Sequence, residues 1–153
     1  MDWSVIVAAI LMIVVAIGWI AHRSEKKEKA LFAELFAEKT SHFSKLLATG
    51  EMPSIDPREI GYRPISDEII YAVRIGIKDN RNGTEGRLLV TNKALVFETA
   101  QRSERFTLSS MAGADIAIDG FSLRKRNGPV RPFWTGSNPH FLALVNVLLG
   151  RPE

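Results

Sequence analysis

One stretch of the sequence decides the fold, namely Gly86-Arg87-Leu88-Leu89-Val90-Thr91-Asn92-Lys93-Ala94-Leu95-Val96-Phe97. Its two halves are hydrophobic, and the polar tripeptide Thr91-Asn92-Lys93 separates them. Thr and Asn favour tight turns because their side chains hydrogen-bond to nearby backbone groups. The stretch therefore predicts two antiparallel strands, over residues 87–90 and 94–99, that contribute to one core.

The segments on either side of this hairpin also predict strands. Hydrophobic residues recur at every second position from Ile69 to Ile77, which is typical of a half-buried strand, and residues 79–83 have the composition of a turn. Four more strands are predicted downstream, over residues 105–108, 114–119, 121–125 and 130–135. The dipeptides Asp119-Gly120 and Asn127-Gly128 are typical of the tight turns that join hairpin strands.

The end of the chain predicts a helix. We expect Asn138 as its N-cap, Pro139 as its first residue and Gly150 at C′, the first position after the helix. Hydrophobic residues cover most of its surface, so it should be buried against the open end or face of the sheet. The predicted class is α+β, in which residues 67–150 form a seven-stranded bent sheet or barrel capped by this helix.

Residues 3–21 contain no charged side chain and begin and end near a Trp. A membrane-spanning helix needs about 20 mostly apolar residues, and Trp favours the two bilayer interfaces. A signal peptide is disfavoured because no Lys or Arg precedes the run and Ile20-Ala21-His22 is a poor cleavage site. A buried core helix would need a larger domain around it. We therefore predict a single-pass anchor over residues 1–21 that inserts residues 3–21 into the lipid bilayer.

The charges beside the apolar run predict its orientation. Residues 22–29 contain four Lys or Arg, whereas none precedes the run. Positively charged residues next to a span stay in the cytoplasm. The N-terminus should therefore lie outside the inner (plasma) membrane and the remaining chain in the cytoplasm, and the absence of Cys agrees with a reducing compartment.

Residues 22–50 predict an amphipathic connector helix that ends at Gly50, and the Pro-containing residues 51–66 predict a linker. The apolar stripe of the helix has three interpretations. It could pack on the domain or on a partner helix, form a dimer seam, or lie on the bilayer, and the first is favoured. Whether the helix continues the span without a break, and the oligomeric state, stay open.

Composition and motifs disfavour several functions. The 153 residues carry 20 Lys and Arg against 17 Asp and Glu, and this mild net charge of +3 argues against nucleic acid as a partner. The three His residues are scattered, and no nucleophile, metal or phosphate-loop motif is present. Asp115 and Asp119, predicted on one strand, are typical of a solvated face. We predict a protein that is not an enzyme, with no cofactor and no metal.

Basic residues near the last predicted hairpin form a candidate anion-binding or partner-binding site. A two-residue turn at Asn127-Gly128 would pair Arg124 with Arg131 and Phe121 with Trp134. This register predicts one apolar face, and it places Arg124, Arg126 and Arg131 together on the other face. An anionic phospholipid headgroup or an acidic partner could offset their mutual repulsion, although long Arg side chains often extend into water instead.

The quoted hairpin, followed by Phe106-Thr107-Leu108-Ser109-Ser110-Met111, resembles the pleckstrin-homology-like superfold, and specifically its bacterial and GRAM-type members. The lead-in segments 50–55 and 67–71 resemble bacterial members. This resemblance implies a binding or scaffolding module. In family members that bind phosphoinositides, basic residues surround the first hairpin, which is where Lys78, Arg81 and Arg87 fall.

The sequence thus predicts a membrane-anchored binding or scaffolding module. Its domain would dock a protein partner, which is favoured because the anchor already supplies membrane attachment, or the anionic membrane surface. The alternative is a membrane regulatory subunit or immunity-type factor that acts through its transmembrane and connector helices.

Overall fold

The computed structural model describes residues 3–150, with side chains from residue 7 onward. Predictions about the Trp3 side chain therefore lie outside the described part. Within it, the chain forms two α-helices, seven β-strands and one short 3₁₀ turn at Leu108–Ser110. These are α1 (Trp3–Thr49), β1 (Ile70–Asp79), β2 (Thr84–Thr91), β3 (Ala94–Glu98), β4 (Ser103–Thr107), β5 (Met111–Ala117), β6 (Gly120–Lys125), β7 (Arg131–Trp134) and α2 (Pro139–Leu149).

The strands form a single antiparallel sheet in the order β4-β3-β2-β1-β7-β6-β5, which leaves β4 and β5 as its edges. The predicted α+β class is confirmed: a long N-terminal apolar helix precedes a seven-stranded open sheet and a C-terminal helix. The core lies between one face of the sheet and the two helices, and three Phe rings of β3, β4 and β6 surround Phe133 of β7.

The hairpin of β2 and β3 forms as predicted, with Val90 opposite Leu95. The Thr91 hydroxyl caps its turn by accepting hydrogen bonds from the amides of Lys93 and Ala94, at 3.1 and 2.9 Å. Val90 and Leu95 are fully buried in the core. The hydrogen bonds of the turn and the burial of both strands therefore favour the same hairpin.

The predicted register of β6 and β7 is wrong by one residue. Leu123 lies opposite Arg131, and Phe121 lies opposite Phe133. No two-residue turn forms at Asn127-Gly128, because residues 126–130 make a longer loop between the strands. A slip of one residue exchanges the two faces of a strand. Arg131 consequently lies on the core face of β7, opposite to the face that carries Arg124.

Two predicted boundaries also differ. β5 ends at Ala117, and Ile118 and Asp119 form the turn into β6, so Asp119 does not share a strand with Asp115. At the end of α2, Gly150 is the C-cap with φ −87° instead of a left-handed C′ residue. At its start the prediction is confirmed, because the Asn138 side chain accepts a hydrogen bond from the amide of Phe141 at 3.0 Å.

The connector helix is continuous with the apolar run, and the whole of α1 is 47 residues long, about 70 Å. Its apolar stripe packs against the core of the domain, as favoured from the sequence, with these residues: Phe32, Phe36, Phe43, Leu46 and Leu47. α1 ends at a left-handed Gly50 (φ +75°), and the Glu51 amide bonds to the Leu46 carbonyl at 3.0 Å. This is the Schellman termination that favours glycine at C′.

Residues 51–66 contain no helix or strand. Met52 packs against the main core, and the later part of the segment packs on the face of the sheet opposite to the helices. Ile60 and Tyr62 cover a small apolar cluster that includes Leu89 and Val96. Ile55 also forms an isolated bridge with Ile70. This segment thus behaves as a strap across β2 and β3, and it buries apolar side chains that the open sheet would otherwise expose.

One helix in the described part is long and apolar enough to cross a membrane, and it is the N-terminal one. Its most apolar window has no buried side chain within the protein. Length and composition are thus consistent with the predicted anchor.

Candidate binding surfaces

Arg131 lies in the core, although the sequence placed it on a surface patch. Its side chain is 3% exposed, and Nη2 donates to Asp79 Oδ2 at 2.8 Å. The guanidinium also donates to both carboxylate oxygens of Glu104 on β4. Its Cζ lies 5.1 Å from the ring centre of Phe106 and 5.7 Å from that of Phe133. Arg131 therefore links β7, β1 and β4 instead of facing a ligand.

The carboxylates of this network are held in their charged form. Burial tends to raise the pKa of Asp79, but hydrogen bonds from the Arg81 amide and side chain and from Arg131 outweigh it, so the pKa is lowered. The pKa of Glu104 is lowered mainly by its hydrogen bond from Arg131. Burial tends to lower the pKa of Arg131, but hydrogen bonds and charge attraction from Glu104 and Asp79 outweigh it, so the pKa is raised.

The basic residues around the first hairpin are largely engaged within the protein. The Arg81 guanidinium lies 3.4 Å from Asp79 Oδ2. Arg87 Nε donates to Glu98 Oε2 at 2.6 Å, and its Nη1 donates to the carbonyl oxygen of Ile60 in the strap. The structure does not bring Lys78, Arg81 and Arg87 together as one cationic cluster.

Two of the predicted residues, Lys78 and Arg124, share the solvent-facing side of the sheet formed by β1, β7, β6 and β5. Residues directly opposite each other on neighbouring strands project to the same side. The cross-strand pairs place six side chains on this surface, called here the Trp134 face: Lys78, Asp115, Ser122, Arg124, Pro132 and Trp134.

Trp134 was predicted in the core, but the shift in register turns it to solvent with 41% of its surface exposed. Lys78 Nζ lies 5.6 Å from the centre of its ring. Gly120 lies opposite it on β6, and a Cβ on Gly120 would lie 2.1 Å from the Phe133 carbonyl oxygen. The close contact of the two strands therefore requires glycine here, and the surface beside the indole stays flat.

The flat part of the Trp134 face forms a shallow cleft of about 110 Å³ that extends to Asn80 and Asp119 at the adjoining turns. At its β5 side, Arg124 Nε pairs with Asp115 Oδ2 at 3.1 Å, and both side chains are about half exposed. The face thus combines an exposed aromatic ring, a proline and charges of both signs. Such a mixture suits recognition of a polypeptide surface.

Arg126 follows β6, and its amide donates to the Ser110 carbonyl at 3.1 Å. It lies with Arg105 and Lys125 in an open cleft of about 390 Å³ at the edge of the sheet. Of the three arginines predicted as one patch, Arg124 is on the Trp134 face, Arg126 is at this edge and Arg131 is in the core. Anion or partner binding by Arg124 and Arg126 stays a prediction.

A second polar network, not predicted from the sequence, fixes the strap and the start of β1. The buried Glu68 carboxylate accepts hydrogen bonds from Arg105, Thr91 and Tyr62 at 2.7, 2.8 and 3.1 Å, and another from the Ile65 amide at 3.0 Å. Burial tends to raise the pKa of Glu68, but the hydrogen bonds lower it overall. No local sequence signal joins Glu68 to Arg105, since they are on separate elements.

For Asp79 a signal was available. It continues the two-residue period of β1 after Ile77, so its position predicts an inward side chain, and an inward carboxylate needs a buried cation. Within residues 3–150 there is no group of three or more His, Asp or Glu side chains that could hold a metal ion.

The fold has a neighbour among solved structures. The Vps36 N-terminal PH domain has a TM-score of 0.48 and 12% sequence identity, over 57% of this chain and 84% of that chain. Comparison with protein-family models gives no match, and comparison with curated proteins gives none either.

Proposed function

We propose that this protein is a single-pass membrane-anchored binding module whose domain docks a protein partner through the Trp134 face. Residues 3–21 would span the inner membrane with the N-terminus outside, and the domain would lie in the cytoplasm. The observation that carries the proposal is the exposed Trp134, set beside a flat surface with Lys78 on one side and Arg124 on the other.

A protein partner is favoured over anionic lipid because most of the candidate cations already have an acidic partner. Arg131, Arg81 and Arg87 pair with carboxylates of the same domain. On the Trp134 face itself, Asp115 offsets the charge of Arg124. A surface made for anionic headgroups would be expected to carry unpaired cations, whereas exposed Trp and Arg are enriched where protein partners contribute most of the binding energy.

The test is photocrosslinking in native membranes with a photoreactive amino acid in place of Ser122, a half-buried residue of the Trp134 face. We expect one dominant adduct of protein size, reduced at least tenfold by Trp134→Ala. The control places the same amino acid at Ser109, which is exposed on the 3₁₀ turn. A lipid adduct at position 122 would instead assign the face to the membrane surface, and equal adducts at both positions would overturn a specific docking site.

A further inference from the structure

The segment of α1 between the apolar run and the domain is an exposed, uninterrupted helix. Every side chain from His22 to Leu31 is exposed, and Phe32 is the first residue of α1 after the apolar run that packs on the core. These ten residues correspond to about 15 Å of helix. The residues that follow the predicted span are therefore free to contact the membrane surface or another molecule.

The charges of this segment are separated by face. Nine residues are two and a half helical turns, so residues nine apart lie on opposite sides of a helix. Arg23 and Lys27 lie nine positions before Phe32 and Phe36, which pack on the core, and Lys26 lies nine positions before the half-buried Leu35. Arg23 and Lys27 therefore point away from the domain, and Lys26 lies beside them at the flank of that side.

The acidic residues lie on the other side. Glu28 and Glu25 precede Phe32 by four and seven residues, spacings that place them on the domain-facing side. The remaining basic residue of the segment, Lys29, pairs with Glu25 at 2.5 Å. Within residues 22–31, the side opposite the domain therefore carries cations and no carboxylate, and the first carboxylate on that side is Glu34, seven residues after Lys27.

An aromatic residue extends this side into the apolar run. Trp19 is four residues before Arg23, and the Arg23 guanidinium carbon lies 5.3 Å from the centre of its ring. Trp at the end of a span favours the headgroup level of the bilayer. Trp19, Arg23, Lys26 and Lys27 are called here the cationic face.

We propose that the cationic face binds the anionic headgroups of the adjacent leaflet, an inference that rests on the proposed membrane anchor. Charge complementarity supports this occupant, since long basic side chains just beyond a span reach phosphate groups while their stems stay on apolar surface. The face continues directly from the apolar run, so headgroups are the first anionic groups that it meets.

This contact has a consequence for the domain. Attraction along one side of α1 inclines the helix toward that side, and the domain packs on the opposite side. The domain is then held away from the leaflet. Its Trp134 face, which lies on the side of the sheet opposite to the helices, is left accessible to a protein partner.

The experiment uses the full chain with Trp3→Phe and Trp134→Phe, which leaves Trp19 as the fluorophore. The protein is placed in vesicles of equal parts phosphatidylglycerol and phosphatidylcholine, with bromine quenchers on one lipid or on the other. We expect brominated phosphatidylglycerol to quench Trp19 more than brominated phosphatidylcholine at low salt. The difference should disappear in R23Q/K26Q/K27Q and persist in the charge-matched control R58Q/R63Q/R102Q, whose residues are exposed on the domain.

The outcomes separate this inference from the proposed anchor. Equal quenching by both lipids would show that the span is in the bilayer and would overturn the headgroup contact. No quenching by either lipid would overturn the anchor and the inference with it. If the difference in Trp19 quenching disappeared in the control variant as fully as in R23Q/K26Q/K27Q, it would arise from the overall charge of the protein. The assignment to the cationic face would then be wrong.

Discussion

Arg131 and Asp79 form a buried ion pair across 52 residues of sequence, with Nη2 of Arg131 donating to Oδ2 of Asp79 at 2.8 Å. The two side chains are 3% and 0% exposed. Removing one partner of a buried pair leaves the other charge uncompensated, which costs more than the pair itself contributes. The pair therefore favours the register in which Arg131 of β7 and Asp79 of β1 both face the core.

We expect Asp79→Asn to lower the free energy of unfolding by about 3 kcal/mol, because it removes one of the two carboxylates around buried Arg131. The matched control is Asp115→Asn, which makes the same chemical change in the exposed pair with Arg124 and should cost less than about 1 kcal/mol. Chemical denaturation of the full chain in detergent micelles measures both. Equal losses of unfolding free energy in the two variants would show that burial does not increase the contribution of the ion pair to stability.

The lowered pKa values of Glu68, Asp79 and Glu104 predict the pH dependence of stability. A carboxylate with a lowered pKa in the folded state stabilises the fold at pH values above its ordinary pKa, and this contribution is lost as the pH falls through the folded value. The melting temperature should therefore be steady from pH 7 to about 5 and fall below about pH 4. Glu68→Gln should lower it at pH 7 and flatten its fall in acid, and a melting temperature that rose in acid would contradict the assignment.

The second half of α1 belongs to the domain, since Phe43 is 5% exposed and its ring centre lies 4.8 Å from that of His140. Phe43→Ala should destabilise the protein by about 3 kcal/mol or more through loss of buried surface and a cavity. Leu31→Ala, on the same helix but 57% exposed, should have little effect. A fragment that begins at Glu51 lacks this stripe, so we also expect it to aggregate where one beginning at Ala30 does not. Thermal unfolding and size-exclusion chromatography measure these differences.

The turn between β2 and β3 also holds the residues before β1. The Asn92 side chain accepts from the Ile69 amide at 2.8 Å and donates to the Asp67 carbonyl at 3.1 Å. Asn92→Ala should therefore lower the unfolding free energy by about 1 to 2 kcal/mol, since two hydrogen bonds are lost. Asn127→Ala, in the exposed loop after β6, is the control and should leave stability unchanged. Hydrogen exchange of the Ile69 amide gives a local measurement, and unchanged protection there would contradict the role of Asn92.

Much of the fold follows from local patterns. The hydrophobic halves around Thr91-Asn92-Lys93, the alternation along β1 and the capping of α2 by Asn138 depend on neighbours within a few residues. The observed hairpin and helix cap confirm those predictions. A strand also forms over Ile70–Asp79, but the predicted alternation along it is wrong: irregularities in its pairing with β2 break the two-residue period, so Ile75 is 76% exposed whereas Ile70 and Ile77 are buried. The apolar stripe of the connector likewise predicts burial, because helical periodicity alone aligns its residues on one side.

The candidate site was predicted less well, because it depends on the register of β6 and β7. An Asn-Gly dipeptide favours a two-residue turn, and with that turn Trp134 would be buried and Arg131 exposed. The longer loop reverses both positions. In the observed register the Arg131 side chain is buried. This is possible only because Asp79 and Glu104, on other strands, neutralise its charge.

The sequence by itself thus determined the elements of this protein and their class, because turn chemistry, capping and hydrophobic period act between near neighbours. Tertiary structure decided which side of β7 faces water, since a buried Arg is stable only where distant strands supply carboxylates. It also decided that the connector continues the apolar run and packs on the domain. The packing of α1 on the domain also decides that the acidic residues between positions 22 and 31 lie on the domain-facing side and that the cationic face lies on the other.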